Sequence, residues 1–149
     1  MRKRSKSNLF FIGSIPVIPK AKAAREPAAE PLPGPTGIFL LLANLIKSAT
    51  KSLVLIDNYI DESVLLMLSK RDAGVSAEIH TGRATETLKQ DVARHNAQYP
   101  PIKLTEKKNI HDRFMIIDED VYHIGASLKD LGKKLFAFSK MTISKDLLI

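Results

Sequence analysis

Cysteine is absent from the chain, so neither a disulfide framework nor a thiolate metal site can hold it together, and a reducing compartment suits it. Long apolar runs are missing too: the richest, residues 38–46, is cut by Lys47 before it reaches the length of a membrane span. The 7 glycines form neither a nucleotide-cradling loop nor a glycine-flanked serine nucleophile, and no internal repeat is visible. A basic excess is also lacking where it would matter most. Of the net charge of +7, +5 falls on residues 1–37, leaving +2 for residues 38–149. That balance excludes a globally basic, nucleic-acid-coating body and leaves room only for a local cationic site. What is present is a chain of 149 residues, the size of one domain that can bury a core without staples.

Six of the 8 prolines lie in the first 37 residues, around an alanine-rich charged stretch. This is the composition of a linker, and residues 1–36 read as a disordered, basic, proline-rich tail ahead of a domain over residues 37–149. A signal peptide is the alternative for the basic start and the apolar residues 9–18. Pro16 and Pro19 interrupt that run, which favours the tail.

From Gly37 the pattern alternates. Residues 38–49 are leucine-rich and helix-like, and 52–56 form a short apolar strand closed by Asp57 and Asn58. Asp61 is placed to cap a helix carrying Val64, Leu65 and Leu68. Residues 75–80 read as a strand, 85–97 as a helix stopped by Pro100 and Pro101, and 102–105 as a third strand. Two apolar, β-branched runs, 113–118 and 121–125, then flank Glu119 and Asp120 as a tight hairpin. Ser127 can cap a short turn ended by Gly132, and residues 135–138 return as a strand. The alternation predicts an α/β sandwich with a mixed central sheet flanked by helices.

The residues with chemistry to offer sit in the hairpin, HDRFMIIDEDVYHIGASLK from His111 to Lys129. Period 2 puts His111, Arg113 and Met115 on one face and Phe114 and Ile116 on the other. An imidazole beside a five-donor guanidinium suits a phosphate. Simpler readings compete: His111 hydrogen-bonded to Asp112 or Asp118, Arg113 paired with Asp118 or Glu119, and Asp118 as a plain hairpin residue. His123 reads as core or edge packing, and His80 and His95 as surface residues. No second His or Cys stands at ligand spacing, so a metal site is a weak reading. Asp57 and Asn58 read as an Asx turn, while Tyr59, at the carboxyl end of a strand, is open to stacking on a base or sugar.

The same stretch resembles the phospholipase D superfamily, whose motif is H-x-K, four residues, D, six residues, G-S, then x-N. His111, Arg113, Asp118 and Gly125 take the His, Lys, Asp and Gly places at matching spacing, while Ala126 and Leu128 hold the Ser and Asn places and Ser127 is shifted by one. The resemblance covers roughly residues 37–142 and implies a phospholipase D-like fold. It also implies phosphodiester chemistry by His111 with Arg113 and Asp118 as further catalytic residues, phosphate binding by Arg113, Ser127 and Lys129, and no metal or cofactor. With one copy of the motif, it implies a homodimer for turnover. The stretch is similar, too, to the C-terminal part of bacterial and phage-associated proteins with an N-terminal DNA-binding module, which implies nucleic acid over lipid and a cytoplasmic location. Three functions follow as expectations: a domain that binds phosphodiester or nucleic acid without turning it over, a metal-independent dimeric phosphodiesterase or nuclease, and a domain with a vestigial site.

Overall fold

A computed structural model describes residues Gly34–Ile149. The expected basic arm and the alternative signal segment lie outside the described residues.

Three helices and six strands follow in the order α1 (Gly34–Lys47), β1 (Ser52–Ile56), α2 (Glu62–Leu68), β2 (Ser76–Thr81), α3 (Glu86–Asn96), β3 (Ile102–Glu106), β4 (Arg113–Ile117), β5 (Asp120–Ile124) and β6 (Phe138–Met141). They build one mixed sheet in the order β3-β2-β1-β4-β5-β6. β1, β2 and β3 are parallel, joined through α2 and α3, while β4 runs antiparallel to β1 and begins an antiparallel series through β5 and β6. This is the α/β architecture with a mixed central sheet that the alternation of elements predicts.

Local chemistry fixes the element ends. Asp61 caps α2, accepting from the Ser63 and Val64 backbone N–H groups, and Thr85 caps α3 by accepting from Leu88 N–H at 3.2 Å. Asn96 closes the path from α3 into β3 by donating to the Ile102 carbonyl and accepting from the Ile102 N–H, at 3.0 and 2.9 Å. Arg71 is buried and donates to the carbonyls of Leu68, Val75, Pro100 and Pro101. Its guanidinium thus fastens the loop after α2 to the entry of β3, a use of five fixed donors that an ammonium could not copy.

Strand alternation sorts the core into two clusters. The larger joins Leu42, Ile46, Val64, Leu65, Leu68, Leu88 and Val92 of the helices to Leu53, Leu55, Ile79, Met115, Ile117 and Ile124 of the sheet. All three helices therefore flank the same face. The opposite face carries a smaller cluster of Val54, Ile56, Ile116 and Val121, covered by Ile110, Phe114, Met141, Ile143 and Leu148. Arg113 shares the helix-covered face with Met115, and Phe114 and Ile116 take the other side, as period 2 requires.

Three expectations are corrected. The last strand is Phe138–Met141 rather than 135–138: Leu135 is 72% exposed, and the chain is still crossing from β5 when it passes that point, so pairing starts only where Phe138 meets Ile124. His80 and His95 are buried, not surface residues. His80 lies on β2 between β1 and β3 with Nε2 at 3.0 Å from Glu78 Oε1, and His95 continues the α3 stripe of Leu88 and Val92 and stacks on Tyr99.

Candidate functional site

The parallel strands deliver their carboxyl ends to one edge of the sheet, and β4, running the opposite way, begins at that edge. Ile56 pairs with Phe114 there, so the residue after β1, Asp57, meets the first residue of β4, Arg113. This is where open α/β sheets place their ligands, beyond the carboxyl ends of the strands.

Asp57 is the hub. It is fully buried, and its Oδ1 accepts from the Tyr59 N–H at 2.9 Å, closing the Asx turn. Its Oδ2 accepts from the Ser127 hydroxyl at 2.8 Å and the Leu128 N–H at 3.1 Å. Burial pushes the Asp57 carboxyl above its usual range, against the opposing pull of the Tyr59, Ser127 and Leu128 hydrogen bonds and the Arg113 charge. Arg113 Nε lies 3.6 Å from Asp57 Oδ1, an ion-pair distance too long for a hydrogen bond, and that buried N–H has no other partner among the described residues. The guanidinium beyond it is partly exposed.

Ser127 stands at the mouth of the short turn Leu128–Asp130 but does not cap it. Its hydroxyl faces Asp57 Oδ2 and, at 2.9 Å, the Tyr59 carbonyl, so the shifted serine ties the loop after β5 to the loop after β1. Two cations then converge on the Tyr59 ring: Arg113 Cζ at 5.7 Å and Lys129 Nζ at 5.6 Å from its centroid. Both distances are within cation–π range.

His111 precedes β4 and is exposed, so strand alternation does not govern its direction. Its backbone position is set from Asn58, a residue that the sequence offered only as part of a turn. Asn58 donates through Nδ2 to the Ile110 carbonyl at 2.8 Å and accepts at Oδ1 from the Gly82 N–H at 2.8 Å. The loops after β1, after β2 and before β4 are thereby clamped together. A side chain at Gly82 would put Cβ 2.7 Å from Asn58 Oδ1, so the clamp needs that glycine. Gly125 has a comparable reason: its N–H donates to the Ala137 carbonyl at 2.9 Å, and a Cβ there would sit 2.9 Å from the same oxygen.

Asp118 is not brought into this cluster. It lies beyond the other end of β4, in the two-residue turn to β5, with φ +56°. Its carboxylate accepts from the N–H groups of Thr50, Lys51 and Ser52 and from the Thr50 hydroxyl, at 2.7 to 3.2 Å. Partial burial works to raise its pKa, but the hydrogen bonds from Ser52, Thr50 and Lys51 together outweigh it and hold the carboxyl at about 2. Asp118 therefore seats the start of β1, and the expectation that it joins His111 and Arg113 in catalysis has no geometric support. Nor does Arg113 pair with Asp118 or Glu119; its partner is Asp57. His123 packs edge-on against Phe114 on the opposite face. Among the described residues no three of His, Asp and Glu gather into a metal cage.

The structure thus brings Arg113, Ser127 and Lys129 together around Asp57 and Tyr59, places the His111 backbone beside them, and leaves Asp118 out. The signal for Asp57 and Asn58 was visible, an acid and an amide directly after a strand at the ligand edge, but a turn accounted for both.

Comparison with known proteins gives no matching family model and no matching curated protein. Among solved structures, NucT from Helicobacter pylori superposes with a TM-score of 0.53 at 16% identity, over 70% of this chain and 76% of that one. A structure of TrmBL2, described as an archaeal chromatin protein with a novel mode of DNA binding, aligns with a TM-score of 0.44 at 17% identity, over 72% of this chain but only 43% of that one. The likeness to NucT is one of fold, a mixed sheet with helices packed against it.

Proposed function

We propose that the chain is a phospholipase D-like domain that binds the phosphodiester backbone of nucleic acid at the edge formed by His111, Arg113 and Lys129, with Ser127 turned inward to hold Asp57 behind them. One observation carries the reading. The Arg113 guanidinium lies between the buried Asp57 carboxylate, with Nε 3.6 Å from Oδ1, and the Tyr59 ring that Lys129 also approaches, at the sheet edge two residues after the exposed His111. A planar fork placed in this way is the group best suited to two phosphate oxygens at once. The near-neutral body fits a local contact rather than a coating one, and a cytoplasmic location is compatible with such a partner. The test is binding of a labelled oligonucleotide across a salt series. Arg113→Ala should weaken it about tenfold or more, because a charged hydrogen bond of this kind is worth on the order of 1.5–3 kcal/mol. Unchanged affinity would refute the reading.

The exposure of His111 supports a second reading, a metal-independent phosphodiesterase or nuclease in which His111 attacks phosphorus. One chain supplies one such histidine, so turnover of the kind the family resemblance implies needs a homodimer. Incubation of the purified protein with single- and double-stranded nucleic acid in EDTA decides between binding and cleavage. If cleavage occurs, His111→Ala abolishes it while binding persists.

A further inference from the structure

We infer that Tyr59 is a stacking platform for an unpaired base, which would make the preferred ligand a single strand. This inference rests on the phosphodiester reading of the same edge. Tyr59 is 54% exposed, the most exposed aromatic among the described residues. An aromatic on a wandering loop would mean little, but its backbone is held on both sides. Its N–H donates to Asp57 Oδ1 and its carbonyl accepts from Ser127, and both partner side chains are buried. The ring is therefore carried outward from a rigid base.

Its neighbours give the ring a use. Arg113 and Lys129, the two cations assigned to phosphate, both lie within 6 Å of its centroid, at 5.7 and 5.6 Å. A phosphate gripped by them brings its own sugar and base to the ring. The cation–π contacts are weak enough to yield. At exposed sites each is weaker than the charge-assisted bond either cation makes to phosphate. A nucleotide can therefore draw the cations to its phosphate and leave the ring to its base. In a duplex each base face is covered by the next pair, so only an unpaired or extruded base offers a face to Tyr59.

Fluorescence anisotropy with the full chain and three labelled probes of equal length tests this: an oligothymidylate, its abasic counterpart and a duplex. The wild type should bind the oligothymidylate tightest. Tyr59→Ala should lower that affinity about fivefold to a hundredfold, the range of base-stacking losses on alanine substitution, down to the abasic level, while affinity for the abasic strand stays unchanged. Tyr59→Phe should retain the preference. Equal wild-type affinity for oligothymidylate and abasic strand overturns the platform and leaves the phosphate reading standing. An equal loss on both strands in Tyr59→Ala also overturns it, since the ring would then only position Arg113 and Lys129. If none of the three probes binds, the phosphodiester reading falls and the platform with it.

Discussion

Replacing Asp118 by Asn separates the structural use of this carboxylate from a catalytic one. Asn tolerates the left-handed backbone at φ +56°, so the turn itself is not strained by the change. What is lost is charge and acceptor capacity: one amide oxygen and an NH₂ replace a carboxylate that faces three N–H groups and a hydroxyl. The carboxyl titrates at about 2 in the fold against 3.8 ordinarily, a gap worth roughly 2 kcal/mol. Asp118 is partly open to solvent, so about 1–2 kcal/mol is a fairer value for the charge. An unmatched amide adds about 1 kcal/mol more. At pH 7 the variant should therefore melt about 6–10 °C below the wild type. The sign of the pH dependence follows from a depressed pKa. The stabilisation is fully present above about pH 4 and is lost as pH falls through about 2. Thermal melts by circular dichroism from pH 7 to pH 2 should thus show the two proteins converging at the acid end. Oligonucleotide affinity, measured well below the melting temperature, should be unaffected. A pH-independent difference, or loss of binding or cleavage in a variant that is still folded, would refute the assignment of Asp118 to the start of β1.

Four further outcomes are expected. Asn58→Ala should release the loop before β4 from the loop after β2 and weaken oligonucleotide binding severalfold with little change in secondary structure; binding equal to wild type would mean that the clamp does not position the edge. Asp57→Ala should cost about 3–5 kcal/mol in urea unfolding, because it strands the Ser127 hydroxyl, the Leu128 N–H and the Arg113 charge; a cost under 1 kcal/mol would remove Asp57 as the hub. Arg71→Lys should cost about 2–4 kcal/mol by the same measure, since an ammonium cannot reach the four carbonyls that Arg71 serves; a neutral result would contradict the fork geometry. Arg113→Lys should bind a single strand several times more weakly than the wild type, and a gain of affinity or hydrolysis would show that the site is otherwise built for an ammonium.

Most of the fold was legible because the signals were local. Asp61 announces its helix by side-chain chemistry confined to three residues, and the hairpin is a two-run pattern whose turn falls at Asp118 and Glu119, one place before the acidic pair read as the divider. Period 2 placed Arg113 with Met115 and opposite Phe114 without any tertiary information. What could not be read were pairings across the chain. Ser127 meets Asp57 across 70 positions and Asp118 meets Thr50 across 68, and nothing near either residue records its partner. The burial of His80 had the same origin: a histidine in the middle of a parallel strand looks polar in the sequence, while β1 and β3 on either side decide its exposure.

The two departures from the motif that the sequence resembles are consistent with each other once Asp57 is in view. A buried carboxylate at the head of the site requires donors, and it obtains them from the Ser127 hydroxyl, the Leu128 N–H and the Tyr59 N–H, with the charge of Arg113 alongside. The serine stands one place late in the motif because its work here is to bond Asp57 and the Tyr59 carbonyl, which draws it inward to 3% exposure. On the phosphate reading proposed above, Arg113 faces two demands, the Asp57 carboxylate behind it and a phosphate in front. A lysine has one cationic centre at the end of a flexible stem and would meet one demand at the expense of the other. A guanidinium places Nε towards Asp57 and still has four N–H donors on its two terminal nitrogens. The arginine at the motif's lysine place is therefore matched to this carboxylate, and its identity and that of Asp57 should be interpreted together: substituting either alone disturbs the other, so their effects on binding should be less than additive.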